Sequence, residues 1–302
     1  MITVLGEALV DIVTSSKGTE SHAGGSPFNV AVGLGRLDCP VRFIGRWGSD
    51  AHGALIDAAL ADARVEPVLA PTEEPTSTAT ATIGPTGAAD YEFDIRWSLP
   101  DLSRFLPEDD DAALVHTGSI ATVLPPGKDE VLRFVEAARP AATISFDPNV
   151  RPSLTADRDA ARRDVERYVA LADIVKASDE DLEWLYPGVD PLESARRWAE
   201  GAPAVVVVTR GEKGPWAVCA AGETSVPAPR VKVADTVGAG DSFMSGLLCA
   251  VRDAGLAGPG RRGDLNGIGT QELETLLAFA ARCAAITVGR SGARPPSRAE
   301  LA

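Results

Sequence analysis

The chain has 302 residues, 45% of them hydrophobic and 24% charged, and a formal net charge of −14. This is the balance of a globular protein, long enough for one large α/β domain or two ordinary ones around a substantial core. So acidic a chain argues against nucleic acid and anionic membranes as main partners, though backbone amides or a metal ion can still hold a small anion locally.

The N-terminal MITVLGEALVDIV has no basic stretch and interrupts its apolar run at Glu7 and Asp11, which predicts a strand rather than a signal peptide. No run reaches the length of a membrane span, so a soluble cytoplasmic protein is expected. Short apolar runs then alternate with helical patterns. Strands are expected at Thr3–Leu5, Val41–Gly45, Ala113–Thr117, Thr143–Asp147, Asp173–Lys176 and Ala204–Thr209. Helices are expected at Pro27–Leu37, Gly53–Ala63, Asp129–Ala138, Arg158–Leu171, Pro191–Glu200, Asp241–Ala254 and Gln271–Val288. Runs such as AVVVVT are apolar throughout, as strands covered on both faces are. The alternation therefore implies a parallel sheet with helices on both sides.

Val231–Ala234 reads as the end of a further, β-branched strand. Segments 11–25 and 67–96 are rich in Thr, Ser and Gly and alternate with period two. They predict half-exposed strands of a small antiparallel sheet, a lid over a site. Residues 253–269 read as a glycine-rich loop that serves a ligand or is simply mobile. With no repeat and no linker, one domain over 1–302 is expected. Cys39, Cys219, Cys249 and Cys283 form no Cys-x-x-Cys pair and read as buried reduced thiols. With His22, His52 and His116 as the only histidines, no zinc cluster can be assembled.

The densest motif is VADTVGAGDSFMSG, residues 233–246. Gly238 and Gly240 let the backbone fold tightly and turn several N–H groups toward one point. The helix that follows adds its unpartnered N–H groups and its positive dipole end, which makes an anion cradle. A carboxylate there, Asp241, can take a proton from a hydroxyl that attacks a phosphoryl group. The alternative is that Asp241 is only an N-cap and the glycines only make a turn.

DTVGAGDSF resembles the C-terminal signature of the ribokinase-like (phosphofructokinase B) carbohydrate kinases. The resemblance implies Asp241 as catalytic base, with the amides of Gly238, Ala239 and Gly240 as the anion hole. GGSPFNVAVGLGRL (24–37), followed by GRWGSDAHG (45–53), is similar to the N-terminal signature of the same family. It implies Asp11, Gly25 and Asn29 as sugar contacts, residue types able to hydrogen-bond hydroxyls or to admit a close backbone. SFDPNVR (145–151) ends a strand where ligand crevices form, and resembles the fructokinase and 2-keto-3-deoxygluconate kinase branches. Asp147 and Asn149 are implied near the phosphates and magnesium, with Asn149 and Arg151 at the sugar or phosphoryl end.

In KASDEDLEWL (176–185), Ser178 and Asp181 stand where relatives carry an Asn-x-x-Glu magnesium pair. Asp181 then becomes the magnesium residue, through water, and Lys176 approaches a phosphate or caps its strand. VTRGEKG (208–214) resembles the nucleotide-phosphate turn, with Thr209, Gly211 and Gly214. ITVGRSGARPP (286–296) resembles the monovalent-cation loop, which implies carbonyls of Asp235, Val237 and Gly289 as potassium ligands.

The chain lacks the Gly-x-x-x-x-Gly-Lys-Ser/Thr of P-loop enzymes, and GLGRLD lacks the last glycine of a dinucleotide fingerprint. The expected protein is a ribokinase-like α/β kinase that uses magnesium and ATP on a small sugar, fructose first, and forms a dimer through the lid. The rivals are a kinase for 2-keto-3-deoxygluconate, ribose or a nucleoside, and a catalytically silent sensor that the intact Asp241, Gly238 and Gly240 argue against. Arg96, at the end of the lid segment, is the residue expected to bear on the choice of sugar, since a guanidinium suits either an acid sugar's carboxylate or a polyol.

Overall fold

A computed structural model describes residues 1–15, 18–83, 89–107, 113–155 and 157–301. Residues 16–17 and 84–88 of the expected lid segments lie outside the described residues. The strands are β1 (Ile2–Leu5), β2 (Leu9–Ser15), β3 (Gly18–Gly24), β4 (Val41–Ile44), β5 (Glu66–Pro67), β6 (Thr78–Ile83) and β7 (Ala89–Asp94). They continue with β8 (Leu114–Gly118), β9 (Thr143–Asp147), β10 (Ile174–Ser178), β11 (Val205–Thr209), β12 (Trp216–Cys219) and β13 (Gly222–Ser225). The helices are α1 (Ser26–Arg36), α2 (Ala51–Asp62), α3 (Gly127–Ala138), α4 (Arg158–Leu171), α5 (Asp179–Leu185), α6 (Pro191–Ala199), α7 (Ala239–Asp253), α8 (Arg262–Asn266) and α9 (Thr270–Val288).

Nine strands form the main sheet in the order β13-β12-β11-β10-β9-β8-β1-β4-β5. From β11 to β5 all pairs are parallel, while β12 and β13 close the other edge as an antiparallel hairpin. The uninterrupted run of β11 has a simple physical origin. Val205 and Val207 enter the core beneath α1, α7 and α9, while Val206 and Val208 enter the opposite core beneath α3, α4 and α6. Successive strand residues point to opposite faces, so a sheet covered twice needs an apolar residue at every position.

The second sheet has the order β3-β2-β6-β7. It is not purely antiparallel as expected, because β2 and β6 run parallel. Between them the chain passes through α1, β4 and α2, and such a crossover returns a strand in the same direction, whereas β3 directly follows β2 in sequence, as β7 follows β6, and each of these pairs is antiparallel.

Two further expectations are corrected. Val231–Ala234 lies in no strand: the hairpin edge ends at Ser225, and Val231 and Val233 stand 43% and 55% exposed. The valines alternate with Lys232 and follow Pro227 and Pro229, so β-branching alone misled the reading. Residues 253–269 are not a plain loop but contain α8, whose Leu265 is buried and whose Arg262 binds Asp173 at 2.9 Å. All four cysteines are free and buried.

Candidate active site

The parallel strands β1, β8, β9, β10 and β11 deliver their C-terminal ends to one edge of the sheet, where crevices form in open α/β sheets. Onto that edge converge the first turns of α1 and α7, and the second sheet stands beside it.

Asp241 occupies the third position of α7 and is 7% exposed. The N-cap is Gly238, in a left-handed conformation at φ 73°, and Asp241 makes no capping bond. This corrects the alternative that Asp241 is the cap. Its carboxylate faces away from its own helix: Oδ1 accepts from Ser26 Oγ at 2.7 Å and Asn149 Nδ2 at 3.4 Å, and Oδ2 from Asn29 Nδ2 at 2.8 Å. Ser26 and Asn29 belong to the first turn of α1, and Asn149 follows β9 with a positive φ of 35°. A Cβ on Gly238 would meet Ala293 Cβ at 2.6 Å, so glycine is required there by space as well as by φ. The Ala239 N–H already donates to Thr236 O at 3.2 Å.

Beneath the glycine turn lies a buried ion pair. Lys176 Nζ donates to Asp147 Oδ2 at 2.7 Å, and both side chains are almost fully enclosed. A Cβ on Gly240 would stand 3.2 Å from that ammonium, so the absent side chain is what lets the charge approach the turn. Asp147 Oδ1 has no hydrogen-bond partner among the described residues. Burial pushes Asp147 up to about 6 against the pull of Lys176, with Asp181 and Asp241 adding to the rise. For Lys176, burial favours the neutral amine, but Asp147, Asp181 and Asp241 together outweigh it and hold the ammonium form.

Asp11 lies on β2, opposite His22 of β3. Burial raises its pKa; Arg151 and His22 oppose this, and Asp241 reinforces it. Gly25 caps α1 at φ 104°, and a Cβ there would press to 2.7 Å from Glu7 O. Arg151 donates to Asn149 Oδ1 at 2.6 Å and to the carbonyls of Asn149 and Val150. Arg96 stands apart from this group: its exposed guanidinium pairs with Asp94 at 3.0 Å.

Further along the edge, Ser178 and Asp181 form a capping box on α5. Asp181 N donates to Ser178 Oγ, and Asp181 Oδ2 accepts from Ser178 N at 2.8 Å. The other oxygen, Oδ1, accepts from Val150 N at 2.7 Å. Asp181 thus ties α5 to the loop that carries Asn149 and Arg151, and each oxygen keeps one lone pair. Thr209 ends β11, level with Ser178 of β10. Gly211 and Gly214 follow at φ 51° and 77°.

Asp235 accepts from Val237 N at 3.0 Å and Gly292 N at 2.9 Å, which depresses its pKa. Its carboxylate therefore fastens the segment before Gly238 to the loop after α9, which starts at Gly289. Among the described residues, no hydrogen bond reaches the carbonyls of Asp235, Val237 or Gly289.

A model of the pfkB family carbohydrate kinases matches residues 1–300. The chain belongs to this family. It is an ATP-dependent sugar kinase. It is 34% identical over 303 residues to a fructokinase of Klebsiella pneumoniae, covering 97% of this chain and 94% of that one. The aminoimidazole riboside kinase of Salmonella enterica, solved with aminoimidazole riboside and an ATP analogue, superimposes with a TM-score of 0.83 at 26% identity, covering 99% and 98% of the two chains. A double-mutant fructokinase of Vibrio cholerae O395 with fructose, ADP and potassium bound gives a TM-score of 0.81 at 27% identity, covering 99% and 96%.

In this pfkB kinase the motifs did not point to Glu7 or Ser26. Glu7 accepts from Ser26 N and Ala121 N, and Ser26 is the shortest contact of Asp241. A signal existed for Glu7, an acid breaking an otherwise apolar run. Ser26 carried none, because a serine before Pro27 at a helix start reads as an ordinary helix-start residue. No group of three or more His, Cys, Asp or Glu among the described residues is placed to hold a metal ion. No described helix is long and apolar enough to cross a membrane.

Proposed function

We propose that the kinase transfers the γ-phosphoryl group of ATP to the terminal hydroxyl of fructose, in the cytoplasm, with Asp241 as the base. The observation that carries the reading is the Asp241 carboxylate, held by three donors beside the glycine turn. A carboxylate so held is ready to accept a hydroxyl proton without reorganising. The amides of Gly238, Ala239 and Gly240 take the transferred group, Ala239 sharing its N–H with Thr236 O. Lys176, under Gly240, adds a fixed positive charge. Asp11, Gly25, Asn29, Asn149 and Arg151 face the sugar, and Ser178, Thr209, Gly211 and Gly214 face the nucleotide phosphates.

Magnesium fits this edge only as a nucleotide-borne ion. Asp147 Oδ1 and the spare lone pairs of Asp181 offer oxygen, but protein ligands are too few for a complete cage. When bound with ATP, magnesium neutralises the phosphates. Potassium fits the loop through the carbonyls of Asp235, Val237 and Gly289. A dimer through the second sheet completes the reading.

Fructose is preferred over an acid sugar because Arg151, the guanidinium among the proposed sugar contacts, is engaged by Asn149, while Arg96 stands apart and pairs with Asp94. The test is a panel of fructose, 2-keto-3-deoxygluconate, ribose and aminoimidazole riboside, each with ATP. Fructose should have the highest kcat/KM; a far higher value for either 2-keto-3-deoxygluconate or a riboside would reject it. Running the panel in potassium and in tetramethylammonium buffers tests the cation loop, where equal rates remove potassium.

A further inference from the structure

Glu7 has no part in the reading above, yet it is only 4% exposed at the C-terminal edge of the main sheet. One carboxylate oxygen accepts the N–H of Ser26 at 3.3 Å and the other that of Ala121 at 3.1 Å. It therefore joins the first residue of α1 to the turn after β8. The Glu7 carbonyl also bounds Gly25 at the start of α1, so backbone and side chain together confine that helix end. The same first turn holds Asp241, through Ser26 Oγ at 2.7 Å and Asn29 Nδ2 at 2.8 Å.

We infer that Glu7 is a positioning residue for the proposed base: through Ser26 it fixes where the first turn of α1 meets the Asp241 carboxylate. The inference rests on reading Asp241 as the base. Ser119 also hydrogen-bonds Glu7, and Arg151 is the charged group acting on it. That guanidinium acts in turn on Asp11, which also feels His22 and Asp241. Burial pushes Glu7 up to about 7, against those hydrogen bonds and the charge of Arg151. The ionised form offers two full acceptor oxygens, so protonation as pH falls through 7 turns one of them into a hydroxyl and weakens its bond to one of the two N–H partners.

Glu7→Gln keeps the size but turns an NH2 group toward one N–H donor. With saturating ATP and the sugar that the wild type turns over fastest, kcat should fall at least about tenfold while KM for ATP stays within about twofold. Made in a Ser26→Ala background, the same change should cost several-fold less than it does in the wild type, because the shorter of its two links to Asp241, the Ser26 hydroxyl, is already cut and only Asn29 remains. Multiplying losses would overturn the inference, as would a Glu7→Gln enzyme that merely melts earlier while its folded fraction keeps the wild-type kcat. Should Glu7→Gln fail to fold, the pH profiles of the wild type and Ser26→Ala decide. The wild type should lose kcat below about pH 7 and Ser26→Ala should lose it several-fold less steeply; equal limbs overturn the inference. A wild type that turns over no sugar sinks the Asp241 assignment and this inference together. A working wild type matched by Glu7→Gln sinks this inference alone.

Discussion

Asp241 receives Ser26 and Asn149 on one oxygen and Asn29 on the other, so the group most exposed to test is surrounded by donors only. Asp241→Asn must point an NH2 at one of them and cannot take a proton. Its kcat should fall by roughly 10²–10⁴, the usual worth of a positioned base, with the fold retained at a cost of about 1–3 kcal/mol. Steady-state rates under saturating ATP and sugar check this; activity within about a factor of ten of the parent would leave the base elsewhere. At this scale the sequence pointed to Gly238 and Asp241 through the types and spacing of an unusual turn, and to Asn29 through the resemblance of segment 24–37. It was silent on Ser26, whose part is a contact across 215 positions of sequence. It also left Asp181 as a metal residue alone, whereas both its oxygens serve as anchors for amides.

Among the elements, those with an unmixed pattern were legible. β11 and α7 were placed to within a residue or two because burial on both sides, or a tight turn with a periodic face, fixes composition strongly. The hairpin β12–β13 and the short helices α5 and α8 were not foreseen, since seven residues or fewer carry little periodicity and take their form from tertiary partners such as Arg262–Asp173. The second sheet ends on two open edges, β3 and β7, and open edges call for cover. Glu92 on β7 and Glu20 on β3 carry acidic side chains along both edges, so the proposed dimer through this sheet brings like charges together. A dimer formed this way should strengthen with salt as the repulsion is screened. Light scattering at micromolar concentration in low and high salt tests it, and a monomer in both conditions rules it out.

For the whole molecule, buried titratable groups set opposing slopes of stability against pH. Glu7 and Asp147, raised to about 7 and about 6, contribute stability that is full below their unfolded values and is lost as pH rises through those figures. His116 works the other way. Burial, aided by the charge of Lys176, drives it down to about 3, so its stability is full above the unfolded value and is lost as pH falls. Between pH 7.5 and 5.5 the two carboxyls gain stability as they protonate while the imidazole loses it, and with two groups against one Tm should rise on acidification. Thermal melts across that range test the balance, and a Tm that is level or falls on acidification contradicts it. The enzyme would then be most robust at a pH where Glu7 is protonated and turnover is reduced.

Asp11 rides on the second sheet while Asp241 is rooted in a helix of the first, and the two carboxylates repel, as the upward push of Asp241 on Asp11 records. Under the proposed reading, with the second sheet as cover, this repulsion opposes bringing the two together over an empty site. ATP brings only more negative charge, whereas a sugar inserts hydroxyl donors between two acceptors and turns the repulsion into a shared grip. Under the proposed reading, the acceptor itself is the key that shuts the chamber, so the nucleotide waits unspent until something worth phosphorylating has arrived.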